Sequence, residues 1–473
     1  MDGQELYQLQ GLVPIYPRQS LLGASNPSAA VPGDITERRY FELFREEVAF
    51  ILCGYFQSPF WTRVIPQTCH HEPAIRHEVV ALSALYKSSK STSNAENGNE
   101  THRNFAFLQQ SKALRYLRES LSGGNQTARL PLMASLVFFC FESLHGNWET
   151  SLQQLSSGRN LLKHCQTLGG DKKALRNIGP EIPQALERLE TVMLSFLVMN
   201  PVSDLPLPDE EDYKELRDSI PDQLKAIEDG YPIVVKSATL ALKHIGRAAR
   251  FATSKMSNIS SKSVAQEMEQ LEEGFQLWRK TYEVSKRALQ PLLGNKIANV
   301  MSKEYLGALT LYIQGEVFDT MMLTSMDLEE AVFDSFLKRF QLIVSSSRFL
   351  LETEQQFWGK GEAALKFGMG LVVCLYYTAT RCRDSAVRRE AIATLRERPS
   401  RCGVWDSLQA AKVAEWVADL EDDGRDINGF VPEQWRVRMR TLRWTLNGGF
   451  INVQCMQGPP GGTLDLQEAA IPC

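Results

Sequence analysis

Apolar residues return every three to four positions along most of this chain, and that spacing predicts helices almost throughout. In "ITERRYFELFREEVAFILCGYF", Phe41, Phe44, Val48, Ile51 and Leu52 fall on one side. Further on, Ile75, Val79, Leu82 and Tyr86 follow i, i+4, i+7, i+11, and Pro73 suits the first helical position of that segment. Phe107, Leu114, Leu117 and Leu121 line the next helix, which Gly123-Gly124 closes. "LPLMASLVFFCFESLHGNWETSLQQLSSGRNLLKHC" then reads as a helix apolar all round, a Gly146-Asn147 turn, and a second helix. On that second helix Trp148, Leu152, Leu155, Arg159 and Leu162 share a face. A helix without a polar side belongs in the middle of a domain, and so short a turn makes the two antiparallel neighbours.

The same spacing predicts further helices at about 181–199, 222–250, 262–290, 300–322, 328–352, 361–382, 384–396, 406–421 and 431–438. Alternation on both sides of Asn447-Gly448 predicts a β-hairpin instead. Residues 1–35 are rich in Gly, Pro, Ser and Ala, lack periodicity, and read as a loose arm. Residues 88–104 read as a polar low-complexity link and 456–473 as a frayed tail. No fixed repeat marks a solenoid, and no βα alternation points to a dinucleotide-binding or α/β-hydrolase fold. The expected fold is all-α: a large helical domain, 36–455, of antiparallel helix pairs with a small C-terminal hairpin.

Composition changes this picture little. A net charge of −4 over 473 residues gives no global pull toward nucleic acid or anionic membrane, so any DNA affinity would need a local patch. The nine cysteines are scattered without a C-x-x-C, which leaves no readable zinc ribbon, redox pair or iron–sulfur run. Cys140, inside "LVFFCF", acts as a small hydrophobe. The N-terminus lacks the basic-then-apolar pattern of a signal peptide, and the longest apolar runs are too short to span a bilayer. A reducing compartment, nucleus or cytosol, is expected.

The candidate chemistry is thin. "CHHEPAIRHEVVALSALY" crowds His70, His71 and His77 beside Glu72 and Glu78, and its centre comes one residue short of the zinc-protease pattern H-E-x-x-H. That pattern needs two imidazoles one helical turn apart, and the second position is Ala81. The residues fit the start of a core helix instead. Glu142 and His145, three apart at a helix end, could form an acid/base pair or simply cap the helix. "GKGEAA", Gly359 to Ala364, matches G-x-G-x-x-A, but the segment before it is polar and helix-like rather than a strand. Between Arg381 and Arg401 seven arginines (381, 383, 388, 389, 396, 398, 401) face Asp384, Glu390 and Glu397. That local excess could meet phosphates or could pair with acidic neighbours. "SDLPLPDEEDYKEL", Ser203 to Leu216, is an exposed acidic loop or a segment that recruits transcription machinery. No catalytic, cofactor-binding or metal-ligating residue is assigned, and the chain is not expected to be an enzyme.

Three blocks together carry a resemblance. "GYFQSPFWTRVIPQTCHHEPAIRHEVVALSALY" pairs Phe60-Trp61 with Glu72-Pro73-Ala74 and an Ala/Leu-rich helix. "SLVFFCFESLHGNWETSLQQLSSGRNLL" sets Glu142, the Gly146-Asn147 turn and Gly158 in a fixed order, and "RPSRCGVWDSLQAAKVAEWVADLEDD" brings Gly403, Trp405 and Asp406. This order resembles the regulatory middle homology domain of fungal zinc-cluster transcription factors. The resemblance covers roughly 37–167 and 365–440, and it implies a core helix, not a metal site, at 72–86. It also implies a nuclear transcription regulator, often tied to metabolite gene clusters, working through protein partners: a homodimer or a DNA-binding transcription factor. A small-molecule effector would suit such a domain.

The family's DNA reader needs six cysteines around two zinc ions, opened by C-x-x-C. Here the only cysteine before residue 69 is Cys53, and residues 1–35 hold a single arginine, Arg18. Direct sequence-specific DNA binding by this chain is therefore not expected. Two alternatives stay open: a metabolite-handling enzyme or accessory protein, for which His70, His71, His77, Glu142 and His145 form the cluster to test, and a cytosolic helical scaffold.

Overall fold

Asp34 starts the first helix. Its carboxylate accepts from the Thr36 and Glu37 N–H groups at 2.8 Å, and the Glu37 carboxylate accepts from the Asp34 N–H at 3.1 Å. This capping box satisfies N–H groups that the helix itself cannot bond. In the computed structural model, residues 31–90, 96–122, 128–167, 178–199, 210–219, 227–254, 261–294, 302–358, 364–366, 370–447, 449–458 and 462–473 are described. Helix α1, Ile35–Leu43, runs through a π-turn, Phe44–Val48, into α2, Ala49–Cys53. A second π-turn, Phe60–Val64, leads into α3, Ile65–Thr68.

Helices α4, Pro73–Lys90, and α5, Glu96–Ser122, pack on one another and on α6, Arg129–His145. Gly146 caps α6 at φ 92°, a left-handed conformation that an L side chain rarely adopts. The chain turns there into α7, Trp148–Thr167. A Cβ on Gly158 would meet Ser135 Oγ at 2.5 Å, so this glycine lets α7 cross α6 closely.

The middle of the chain continues with α8, Glu181–Met199; α9, Glu210–Ser219; α10, Ile227–Ser254; α11, Ser261–Gly294; and α12, Lys303–Leu323. A 3-10 turn, Glu330–Phe336, precedes α13, Leu337–Trp358. Strand β1, Ala364–Lys366, is followed by α14, Val372–Arg381, and α15, Ser385–Glu397. It pairs in parallel with β2, Ser400–Cys402, which pairs antiparallel with β3, Trp405–Asp406. Asp406 then caps α16, Ser407–Asp422. One contiguous apolar core runs from Val31 to Cys455, and α6 is buried in it along nearly its whole length.

The helical reading is correct in kind, and five local expectations change. The 88–104 link is largely helix, because α4 runs to Lys90 and α5 begins at Glu96; 91–95 lie outside the described residues. The acidic 203–216 segment is helix α9 from Glu210 on. Tyr213 and Leu216, one turn apart, pack against Leu240 and Leu277; 203–209 lie outside the described residues. The 361–382 helix begins only at Val372, since 364–366 give their backbone bonds to β2.

The helix at 431–438 is a single 3-10 turn, Glu433–Trp435, followed by strand β4, Val437–Asn447. Val437 and Met439, then Leu442 and Trp444, point inward, and the change of phase coincides with a register shift between Arg438 and Arg443. Finally, the hairpin is a three-stranded sheet. Strand β5, Phe450–Gln457, pairs on its far side with β6, Asp465–Pro472, so the tail is strand rather than frayed chain. Of the 1–35 arm, 1–30 lie outside the described residues, and Val31 is buried.

Candidate functional site

The residues singled out by sequence do not form one site. His77 is buried on α4, and its Nδ1 lies 2.6 Å from Gln109 Oε1. Gln109 Nε2 donates to Glu37 at 2.8 Å, and Lys112 Nζ donates to the same carboxylate at 3.0 Å. A polar relay thus ties α1, α4 and α5 together under the capping box. Burial would raise the Glu37 carboxyl, but the bonds from Gln109, Lys112 and the Asp34 N–H pull it down to about 2. Burial pushes the His77 imidazole below its ordinary value, so it is neutral at pH 7.

His70 and His71 stay on the loop before α4. Glu142 accepts from Gln110 at 2.8 Å, and His145 meets Arg103 and the edge of Phe107. Glu142 and His145 thus each pair with a side chain of α5. Among the described residues, no three His, Cys, Asp or Glu groups gather to hold a metal ion.

Glu78, next to His77, is fully buried, and neither carboxylate oxygen has a hydrogen-bond partner. Burial, and after it the charge of Glu142, push its carboxyl well above the usual range. The folded state therefore holds this proton more tightly than the unfolded one. Stability falls as pH rises from the ordinary carboxyl value toward the raised one. Glu78→Gln keeps the shape without the ionisation. It is expected to raise the urea midpoint at pH 7 and to flatten its slope between pH 5 and 8; a lowered midpoint would mean that the carboxylate has a partner.

The arginine-rich segment turns inward. Arg383 donates to Glu421 at 2.8 Å and to Glu330 at 3.3 Å; Arg388 donates to Glu421 at 2.6 Å; Arg381 donates to Glu330 at 3.2 Å. Arg396 pairs with Glu415, Arg398 with Glu352 and Arg401 with Asp406, while Arg389 bonds the Ser385 carbonyl. Of the two readings of this segment, pairing with acidic groups holds: the arginines form an ion-pair network, because guanidinium and carboxylate groups can leave water together only as bonded sets. "GKGEAA" falls at 359–363 outside the described residues; helix α13, not a strand, precedes it.

What the sequence reading missed is a hollow between α8, α10, α11 and α12. Its volume is about 90 Å3, and Tyr55, Phe56, Val234, Trp278, Leu289 and Phe318 supply much of its apolar wall. Of the wall residues, Phe56, Leu289 and Leu311 form with Ala308 a small cluster separate from the main core.

Polar wall groups are mostly engaged. Thr281 and Thr310 donate to their own helices, at 3.0 and 2.8 Å. Thr191 donates to Glu187 O at 2.8 Å and meets Thr239 at 2.6 Å. Lys286 and Tyr282 both bond Glu316, which Arg339 holds from the other side at 3.0 Å. Arg188 donates to the Cys53 carbonyl at 2.6 Å and lies over the Tyr231 ring. Ser237 is the exception: it is 2% exposed, lines the hollow, and its Oγ has no partner. The signal in the sequence is "VVKSATLAL", where Ser237 interrupts an apolar face, and periodicity alone does not reveal what it points at.

A largely apolar hollow among helices with an unsatisfied hydroxyl in its wall can hold a small molecule. Among the described residues, no helix is long and apolar enough to cross a membrane. No solved structure matches the chain. Among curated proteins, it is 36% identical over 89 residues to the aspercryptin biosynthesis cluster-specific transcription regulator atnN of Emericella nidulans. The alignment covers 17% of this chain and 13% of that protein. The model of the fungal specific transcription factor domain matches residues 39–321, from α1 to α12. The chain belongs to the fungal-specific transcription factor domain family.

Proposed function

We propose that this chain is the regulatory part of a fungal transcription regulator of a metabolite gene cluster. It acts in the nucleus, through contact with a second copy or a DNA-binding factor and without a catalytic step, and a small molecule in the 90 Å3 hollow sets its state. The family and the name of the relative from Emericella nidulans support the regulatory and metabolic parts of this reading. The effector is supported by a single observation: the unpartnered Ser237 Oγ lines a hollow whose walls are otherwise largely apolar. A buried hydroxyl left without a partner costs about 1–3 kcal/mol, and a ligand oxygen would recover that.

The test joins the chain to an unrelated DNA-binding module in front of a reporter, in a host fed extracts of the producing fungus. The fusion is expected to localise to the nucleus and to change reporter output with extract. Ala238→Leu adds bulk at the cavity wall. It is expected to preserve folding and localisation and to fix the output at one level. A reporter that never moves overturns the regulatory reading; one that still answers to extract in Ala238→Leu overturns the effector site.

A further inference from the structure

Resting on that reading of the cavity, we infer that its ligand is a neutral, largely apolar molecule with one hydrogen-bonding oxygen, given room by displacement of the Phe56–Tyr231 stack. Charge decides the first point. The two cations in the wall are occupied, Lys286 by Glu316 and Arg188 by the Cys53 carbonyl and the Tyr231 ring. An anion would have to compete with Glu316 for Lys286 in an apolar hollow, and a cation would meet no free carboxylate there. Among the described wall residues, the Ser237 hydroxyl is buried and unbonded, and it can donate to a carbonyl or exchange bonds with an alcohol.

Size decides the second point. A second hollow of about 170 Å3 lies on the other side of Phe56, Arg188, Tyr231 and Val235, which line both. The partition is one aromatic stack: the Phe56 and Tyr231 rings lie 3.7 Å apart and 13° from parallel. An apolar cavity of about 150 Å3 takes one benzene, or roughly 25 Å3 per non-hydrogen atom. By that measure the first hollow alone holds about four such atoms, and the two joined hold about ten. A molecule larger than four atoms therefore extends beyond the first hollow, and displacement of the stack lets it occupy the second, which couples its binding to the position of α10 through Tyr231.

Three probes of one shape test this on the full chain: cyclohexanol, methylcyclohexane and cyclohexanecarboxylate, with binding followed by ligand-observed NMR. Cyclohexanol is expected to bind best and the carboxylate not at all. Ser237→Ala is expected to weaken cyclohexanol about fivefold and to leave methylcyclohexane unchanged, as loss of one net hydrogen bond requires. That variant removes an unpartnered polar atom, so its folding, checked by circular dichroism, is expected to be intact. Tyr231→Ala is expected to speed association of both neutral probes. Carboxylate binding equal to that of the alcohol, or no effect of Ser237→Ala, overturns the ligand class while the cavity stands, provided Ala238→Leu blocks all three probes. If no probe binds and Ala238→Leu leaves the reporter responsive, the effector site itself falls.

Discussion

Glu421→Gln is expected to remove about 3–5 kcal/mol of stability, because it breaks a buried ion-pair network from its centre. The Glu421 side chain is fully buried on α16. Its two oxygens accept from Arg383, from Arg388 and from the Val437 N–H at 2.9 Å. Glu330 holds the other side: it accepts from Arg381, Arg383 and the Met439 N–H. The two carboxylates thus fasten the helices around α14 to the first residues of β4. A glutamine can satisfy at most part of this set; it leaves the buried Arg388 guanidinium without a counter-charge and Arg383 with Glu330 alone.

A surface pair gives the contrast. Arg396 and Glu415 are 44% and 43% exposed, so Glu415→Gln is expected to change stability by only about 0–1 kcal/mol. Urea unfolding of the two variants measures the difference, and equal midpoints would show that the network is not desolvated as described.

The same residue sets the acid limit. Burial would raise the Glu421 carboxyl, but Arg383 and Arg388 pull it down to about 2, as the bonds to Glu37 do at the other end of the chain. A depressed folded value means that the unfolded state binds the proton more tightly. The contribution is therefore whole above about pH 4.5 and is lost as pH falls toward 2. Acid unfolding of the native chain is expected in that window, and Glu421→Gln should make it shallower.

How much of this was legible depends on the range of the interaction. The stripe Ile75, Val79, Leu82, Tyr86 and the all-apolar α6 are local patterns, and they appear where the spacing puts them. Gly146 and Gly158 were readable as a turn and a block signature, although the reason for Gly158, the close approach of Ser135, needs a second helix to be seen. For Arg383 and Arg388 the sequence offered pairing with acidic neighbours as one reading, but it could not name the partners or show that the pairs are buried. Arginines in a run look like a basic face until Glu421 and Glu330, distant in sequence, are brought beside them. Strand β6 was lost for a similar reason. "DLQEAAIP" has weak alternation and exposed faces, and its conformation is fixed by pairing with β5 rather than by its own pattern. The cavity was least legible of all, since its walls come from the ends and middles of four helices and its one telling residue is a serine.

Trp405→Ala is expected to cost about 3–5 kcal/mol, the range for deleting a large buried aromatic. Trp405 is the late residue of the resemblance, and its place explains why a tryptophan stands there. Its Nε1 donates to Ser195 Oγ on α8 at 3.0 Å. Its ring meets Phe196 edge-on at 5.3 Å and Tyr376 of α14 at 5.3 Å, and Phe196 in turn touches Trp148 and Trp444. One cluster therefore joins the start of α7, the end of α8, α14, β3 and β4. Ser195 also donates to the Val192 carbonyl at 2.7 Å, so its hydroxyl loses only an incoming bond when the indole goes. Trp405→Phe, which keeps a ring against Phe196, is accordingly expected to lose much less than Trp405→Ala. A double-mutant cycle with Phe196→Leu should return a coupling of about 0.5–1.5 kcal/mol for the edge-on pair. If Trp405→Ala unfolds at the same urea concentration as the native chain, the C-terminal block does not dock on α8, and the match of the family model up to α12 would describe a unit that stands without it.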